Sequence, residues 1–394
     1  MKQTISIFVA TLWSVFLLVQ PLWARDAPVY VGFDGAYGVK NSTSAQSIQL
    51  GIRAAIHEIN ASGGVLGGRP LELLIKDNRS VPARGIANLE DFIAQKDLVA
   101  VFGGRFSPVL LQQVKHVQEH KIPLLDVWGA ADGITDHEYV PSYTYRLSLK
   151  DSWAMPAMLK RAMSASGDKI GILLPNSGWG RSNQKALGKA LEKTPEALLV
   201  GTIWYNGGEH NMLQHYQALI KSGAQAVLLV ANASEGSVLV RQLGGRIDVK
   251  RVPIISHWGV TGGDMVKASG PTLAELDFSV VQTFSFFNER AKTHKKFRET
   301  VAAIQGITDL ETIESPVGVG HAYDMTHILA KAIDQAKSTD RTAIRDALEK
   351  LGKYEGLVRT YDPPFSSVKH DALAPNLVFF TKYRVDGALV PVSQ

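Results

Sequence analysis

The chain contains no cysteine among its 394 residues. That removes disulfides, thiol nucleophiles, cysteine metal sites and a cysteine-borne lipid anchor together, so the core must hold the fold. Long apolar runs are equally scarce. The one candidate, Ile5 to Val19, is shorter than the ~20 residues a bilayer crossing needs. Lys2 before it and Pro21-Leu22-Trp23-Ala24 after it, ahead of Arg25 and Asp26, give the pattern of a secretory signal peptide cut after Ala24. Charge does not collect either: 42 basic and 37 acidic residues leave a formal net charge of +5, too mild and dispersed to argue for nucleic acid as a partner. At 45% hydrophobic and 20% charged, the composition is that of ordinary globular protein, and the length suits two domains of usual size.

Residues Val29 to Lys76 carry the strongest local signal. VYVGFDGAYG reads as a strand and a glycine-rich turn; after a Ser/Thr stretch, GIRAAIHEINASGGVLGGRPLELLIK reads as a helix, a double-glycine elbow and a second strand. Ile52, Ala55, Ile56 and Ile59 recur at helical spacing, and Asn60 with Gly63 and Gly64 ends the helix, because glycine reaches the left-handed backbone of a C-cap. Strand, helix and parallel strand form the unit of a doubly wound α/β sheet, whose ligand sites lie at the carboxyl ends of strands. The stretch from Gly32 to Ser44, with Tyr37 in it, is therefore candidate ligand ground.

The run INASGGVLGGRPLEL directly behind that helix resembles the periplasmic solute-binding proteins for branched-chain amino acids and related compounds, and the likeness extends more loosely over the whole mature chain. The resemblance implies an α/β type I periplasmic binding protein: two similar Rossmann-like lobes with parallel sheets, joined by a three-crossing hinge. On that pattern residues 1–24 are the signal peptide, 25–147 with 284–356 form the first lobe, and 148–283 with 357–394 form the second. Strand Phe278 to Phe284 returns the chain to the first lobe, and Tyr354 to Arg359 begins the last crossing. The same resemblance implies a monomeric periplasmic protein with no cofactor and no catalytic role. Its small solute, amino-acid-like or carboxylate-bearing and in some cases aromatic, would pass to the permease of an ABC transporter or be presented to a membrane sensor.

Two segments repeat one another. Lys121-Ile-Pro-Leu-Leu-Asp-Val-Trp-Gly-Ala130 and Arg251-Val-Pro-Ile-Ile-Ser-His-Trp-Gly-Val260 both run base, β-branched residue, proline, two aliphatics and Trp-Gly, and each follows a strand and a helix. The repeat points to two like lobes, with Trp128 and Trp258 at equivalent strand ends facing one cleft.

The loop Gly103-Gly-Arg-Phe-Ser-Pro108 has its own logic. The glycines end a strand, Ser107 suits a helix N-cap, and Pro108 suits the first turn. Such an N-terminus offers free N–H groups to an anion, and Arg105 adds a full charge. In the resembled family this place contacts the ligand's carboxylate, and Ser107 aligns with the family serine. Trp179 falls where the family has a tyrosine, and Asn232-Ala233 is the second lobe's counterpart of the Ser107 loop. Trp258 falls where amino-acid-binding members carry a glutamate for the ammonium; its loss argues against an ordinary α-amino acid unless Asp34, Asp126 or Glu235 substitutes. Phe106, Trp128 with Gly129 and Ala130 beside it, Trp179 and Trp258 describe an aromatic cleft, suited to a planar acid by stacking or a quaternary amine by cation–π attraction. The family's clamping disulfide would fall near Ser80 and Phe106, where neither cysteine is present.

Enzyme signals are thin. His116-Val-Gln-Glu-His120 fits the H-x-x-E-H metalloprotease pattern, but both histidines lie away from the helix's apolar face and read as solvated. No phosphate loop, nucleophile elbow or Ser-His-Asp set is present, and no catalytic or metal-ligating residue is expected. His321, Tyr323 and Asp324 in GVGHAYD read as a helix start near the hinge.

Overall fold

A computed structural model describes residues 27–40 and 42–392; the signal-like segment Met1–Ala24 lies outside the described residues. The chain begins β1 (Val29–Gly35), α1 (Ser44–Ala61), β2 (Leu71–Asp77), α2 (Pro82–Ala94), β3 (Leu98–Gly103), α3 (Ser107–Glu119), β4 (Leu124–Asp126) and β5 (Thr144–Arg146). These strands form one parallel sheet in the order β2-β1-β3-β4-β5. All six residues of β3 are buried, as a strand covered by helices on both faces requires. The elbow between α1 and β2 works as its residues dictate: Gly63 and Gly64 stand at φ 106° and 73°. Beside them, the Asn60 side chain donates to the Leu71 carbonyl at 2.9 Å and accepts its N–H at 2.8 Å, pinning the start of β2.

The second lobe repeats the plan. After α4 (Asp151–Ser166) come β6 (Lys169–Pro175), α5 (Gly178–Glu192), β7 (Leu198–Tyr205), α6 (Met212–Lys221), β8 (Ala226–Leu229), α7 (Ala233–Leu243), β9 (Ile254–Ser256), short helices α8 (Met265–Ser269) and α9 (Thr272–Glu275), and β10 (Phe278–Gln282). Their sheet order, β7-β6-β8-β9-β10, matches the first sheet strand for strand. By this match α3 corresponds to α7, and Trp128 to Trp258, each tryptophan two residues beyond a three-residue strand. Strand β10 pairs in parallel with β9 and so stays in the second sheet; the return to the first lobe comes after it, not through it.

The returning chain forms α10 (Glu289–Thr293), α11 (Lys295–Gln305), α12 (Pro316–Ala336) and α13 (Arg341–Leu348). Helix α12 starts at Pro316, before the point that GVGHAYD marks, so His321 lies within the helix. Its glycines are there for packing: a Cβ at Gly318 would lie 2.6 Å from the Trp128 ring. A hairpin of β11 (Tyr354–Glu355) and β12 (Thr360–Tyr361) follows, and the chain then runs beside β5. Arg146 N–H donates to the His370 carbonyl and Ala372 N–H to the Arg146 carbonyl, both at 2.8 Å. The last crossing therefore follows Ala372, later than residues 356–357, and leads into β13 (Phe379–Tyr383) and β14 (Leu389–Pro391), antiparallel additions to the second sheet. Among the described residues no helix is long and apolar enough to cross a membrane.

Candidate ligand cavity between the lobes

The carboxyl ends of both sheets face one cavity of about 380 Å³, within the range of small-molecule sites. Three helices begin at its wall: α3 from the first lobe, α5 and α7 from the second. Their unpaired N–H groups and dipoles make the wall favourable to negative charge. Of the residues singled out from sequence, Arg105, Phe106, Ser107, Trp128, Ala130, Trp179, Asn232 and Trp258 line it. Tyr37, Gly129 and Ala233 do not. The Tyr37 hydroxyl is engaged 2.6 Å from the Gln49 amide, with its ring edge-on to Phe33. Gly129 turns its N–H to Asp126 at 2.6 Å and its carbonyl to Arg146. Ala233 opens α7, whose Asn232, Ser234 and Glu235 reach the cavity instead.

Ser107 does not cap its own helix. Phe106 occupies the N-cap position, and the Ser107 hydroxyl accepts the N–H groups of Ala130 and Ala131 at 3.1 and 3.2 Å. With both lone-pair positions used, its own proton is left to donate at the cavity wall. One hydroxyl thus ties the β3–α3 loop to the loop after β4.

Arg105 spans the lobes. Its Nη1 donates to the Gly259 carbonyl at 2.7 Å, its guanidinium lies 4.4 Å from the Phe106 ring centre, and its buried Nε has no partner. Among the described residues no carboxylate comes within ion-pair distance of it. Burial pulls its pKa down to about 10, with Glu235 opposing, so it remains a cation at neutral pH. A buried cation with one carbonyl acceptor is short of negative charge.

The indoles are held from behind. Trp128 and Trp258 pack with ring centres 6.0 Å apart, and the buried Trp128 Nε1 has no partner. Trp179 lies in the first turn of α5 rather than in a loop, and its Nε1 donates to Asp151 at 3.2 Å. Asp151 also lies 3.1 Å from Nε2 of His257, whose Nδ1 accepts the Trp258 N–H at 2.9 Å. Behind Trp258 stands His321, with Nδ1 on the Val127 carbonyl and Nε2 on the Thr283 hydroxyl, both at 3.1 Å. A neutral ring with its proton on Nδ1 satisfies both contacts, and burial pushes its pKa down to about 4.

Of the three acids weighed as replacements for the family glutamate, Glu235 alone lines the cavity. Asp34 is held by Asn88 and Gln113, and burial lifts its pKa to about 6. Asp126 accepts the Trp128 and Gly129 N–H groups, and burial lifts it to about 7 against the pull of Arg146. Sequence reasoning did not place the wall residues of Pro175 to Ser177 or Gly207 and Gly208; only the lobe repeat could have found the first, as the counterpart of the β1–α1 turn. On α3, His120 is exposed and His116 partly so. Beyond the cavity, Thr43 N–H and the Ser42 hydroxyl donate to the Gly262 carbonyl, the Ser315 hydroxyl to that of Thr261, and Asp132 N–H to the Ser182 hydroxyl. The lobes meet on both flanks.

Residues 28–384 match the periplasmic binding protein family. The chain belongs to that family. This binding protein is 22% identical over 381 residues to the Leu/Ile/Val-binding protein homolog 2 of Brucella abortus, covering 92% of each chain. It also matches glutamate receptor 3.1 of rice at 24% identity over 212 residues, 53% of this chain but only 22% of the receptor. In fold it follows a type 1 periplasmic binding protein from Bordetella pertussis, with a TM-score of 0.81 at 22% identity, covering 93% of this chain and 100% of that one. A solute-binding protein of an ABC transporter from R. palustris, solved in complex with 4-hydroxybenzoate, gives a TM-score of 0.76 at 18% identity, covering 94% and 96%.

Proposed function

We propose that this chain is a periplasmic solute-binding protein that captures a small aromatic carboxylate between its lobes and delivers it to the membrane permease of an ABC transporter. The observation that carries the reading is Arg105: buried, with no carboxylate within ion-pair distance among the described residues, Glu235 of the same cavity acting on it only from farther away, and set at a wall where three helices begin. A ligand carboxylate supplies the missing charge, with the Ser107 hydroxyl as a further donor. Phe106 and Trp179 supply apolar surface for a ring, backed by the fully buried Trp128 and Trp258. Membership of a periplasmic family and the signal-like Met1–Ala24 segment support export, and the R. palustris neighbour supports the choice of aromatic acids.

Binding without turnover fits the same geometry. Among the described residues the His257–Asp151 pair has an enzyme-like geometry near the cavity, and both residues are fully buried. Asp151 also holds Trp179, and the Trp258 N–H occupies His257 Nδ1, so the pair positions indoles. A thermal-shift panel of benzoates, aliphatic amino acids and betaines tests the reading. Benzoates raise the melting temperature, since a ligand at 100 times its dissociation constant stabilises by about 2.7 kcal/mol. A shift with leucine or valine and none with any benzoate would overturn it.

A further inference from the structure

Resting on the aromatic-acid reading above, we infer that Glu235 is a specificity-determining residue. It selects ligands that carry a hydrogen-bond donor, hydroxyl or ammonium, in addition to the carboxylate. Arg105 belongs to the first lobe and Glu235 to the second, and both line the one cavity. Glu235 is only 6% exposed. One of its oxygens accepts the Gly208 N–H at 2.9 Å and the other the Ser234 hydroxyl. A carboxylate has about four acceptor sites, so two protein donors leave capacity open. Among the described residues no Lys, Arg or His comes within ion-pair distance of it. Its place in the first turn of α7 offsets part of the cost of burying the charge, but supplies no directed donor at the cavity face.

The cavity therefore holds a cation without an ion-pair contact on one lobe and an acceptor with capacity for a further donor on the other. A ring bearing both a carboxylate and a donor satisfies the two and draws the lobes onto itself. A ligand without the donor strips water from Glu235 and gives nothing back, the situation in which sites built for a hydroxyl reject the analogue that lacks it. An acceptor such as a methoxy oxygen is worse, because it meets the carboxylate with lone pairs.

Calorimetric titration of the full mature protein with benzoate, 4-methoxybenzoate, 4-hydroxybenzoate and 4-(aminomethyl)benzoate tests this, in the native chain and in Glu235→Gln. In the native chain the two donor-bearing acids bind at least about 10-fold tighter than benzoate, and 4-methoxybenzoate binds weakest. In Glu235→Gln, whose amide can donate to a methoxy oxygen, the preference for 4-hydroxybenzoate over 4-methoxybenzoate falls about 10-fold or more. A residue that only held the Gly208 loop would weaken all four acids alike. Tighter binding of the aminomethyl acid than of the hydroxy acid assigns an ammonium partner, and the reverse assigns a hydroxyl. If the substitution unfolds the protein, the native ranking still decides. Equal affinities for benzoate, 4-hydroxybenzoate and 4-methoxybenzoate overturn the role of Glu235 while leaving the aromatic-acid reading standing; no binding by any of the four overturns both.

Discussion

His321 shows how a single buried side chain sets a property of the whole. Burial holds its pKa near 4, below the ordinary value of 6.5, so the folded ring stays neutral while the unfolded chain takes up a proton between those values. Its contribution to stability is fully present above about pH 6.5 and is lost as pH falls toward 4, by up to about 3 kcal/mol at roughly 1.4 kcal/mol per unit. Asp34 and Asp126, raised to about 6 and 7, act with the opposite sign: their burial favours the protonated form, and their contribution fades as pH rises through those values. The two effects overlap, so the informative quantity is a difference. The stability gap between the native chain and His321→Gln should narrow from pH 7 to pH 4.5 in denaturant titrations. A gap that stays constant across that range would show that the ring is not held neutral.

At this scale sequence was informative about residue type and less so about partners. The tryptophans stood out because each sits beside glycine and two recur at equivalent strand ends, although core packing is an indole's default use; all three line the cavity, Trp128 and Trp258 while fully buried. The bonds of Ser107 to Ala130 and Ala131 were hidden, because they join segments that meet only through the sheet. Tyr37 and Ala233 missed the cavity by local geometry: one hydroxyl turned to Gln49, and one residue fell out of phase on a helix.

At the scale of elements, the repeat of two ten-residue segments foreshadowed two sheets with the same strand order. The start of α12 was masked because Gly318 and Gly320 read as loop residues, whereas they make room for Trp128 and Phe284. That packing has a consequence for binding. Gly318→Val would drive a side chain into the Trp128 ring, at a cost of about 1–3 kcal/mol for overpacking, and displace an indole that lines the cavity. Thermal melts and ligand titration should show a lower melting temperature together with weaker binding of aromatic acids. A variant that melts and binds like the native chain would show that Trp128 has slack behind it.

Across the whole molecule, the lobes meet through hydrogen bonds at Gly262, Thr261 and Ser182, through Arg105 on Gly259, and through the packing of Trp258 against Trp128 and His321. Each such bond contributes only about 1 kcal/mol net, so a ligand that satisfies charges on both lobes can govern closure. The proposed function makes an anion at Arg105 the central demand of the cavity. Replacing that residue by Met removes a poorly compensated buried cation, so the ligand-free protein should lose little stability while losing its acid site. The direct test is calorimetric titration of 4-hydroxybenzoate into the native chain and into Arg105→Met. The native chain should bind one equivalent in about the micromolar range, and the folded variant should bind about 100-fold more weakly or not at all. Undiminished binding by Arg105→Met, or no heat from the acid beside tight binding of leucine by the native chain, would contradict the account.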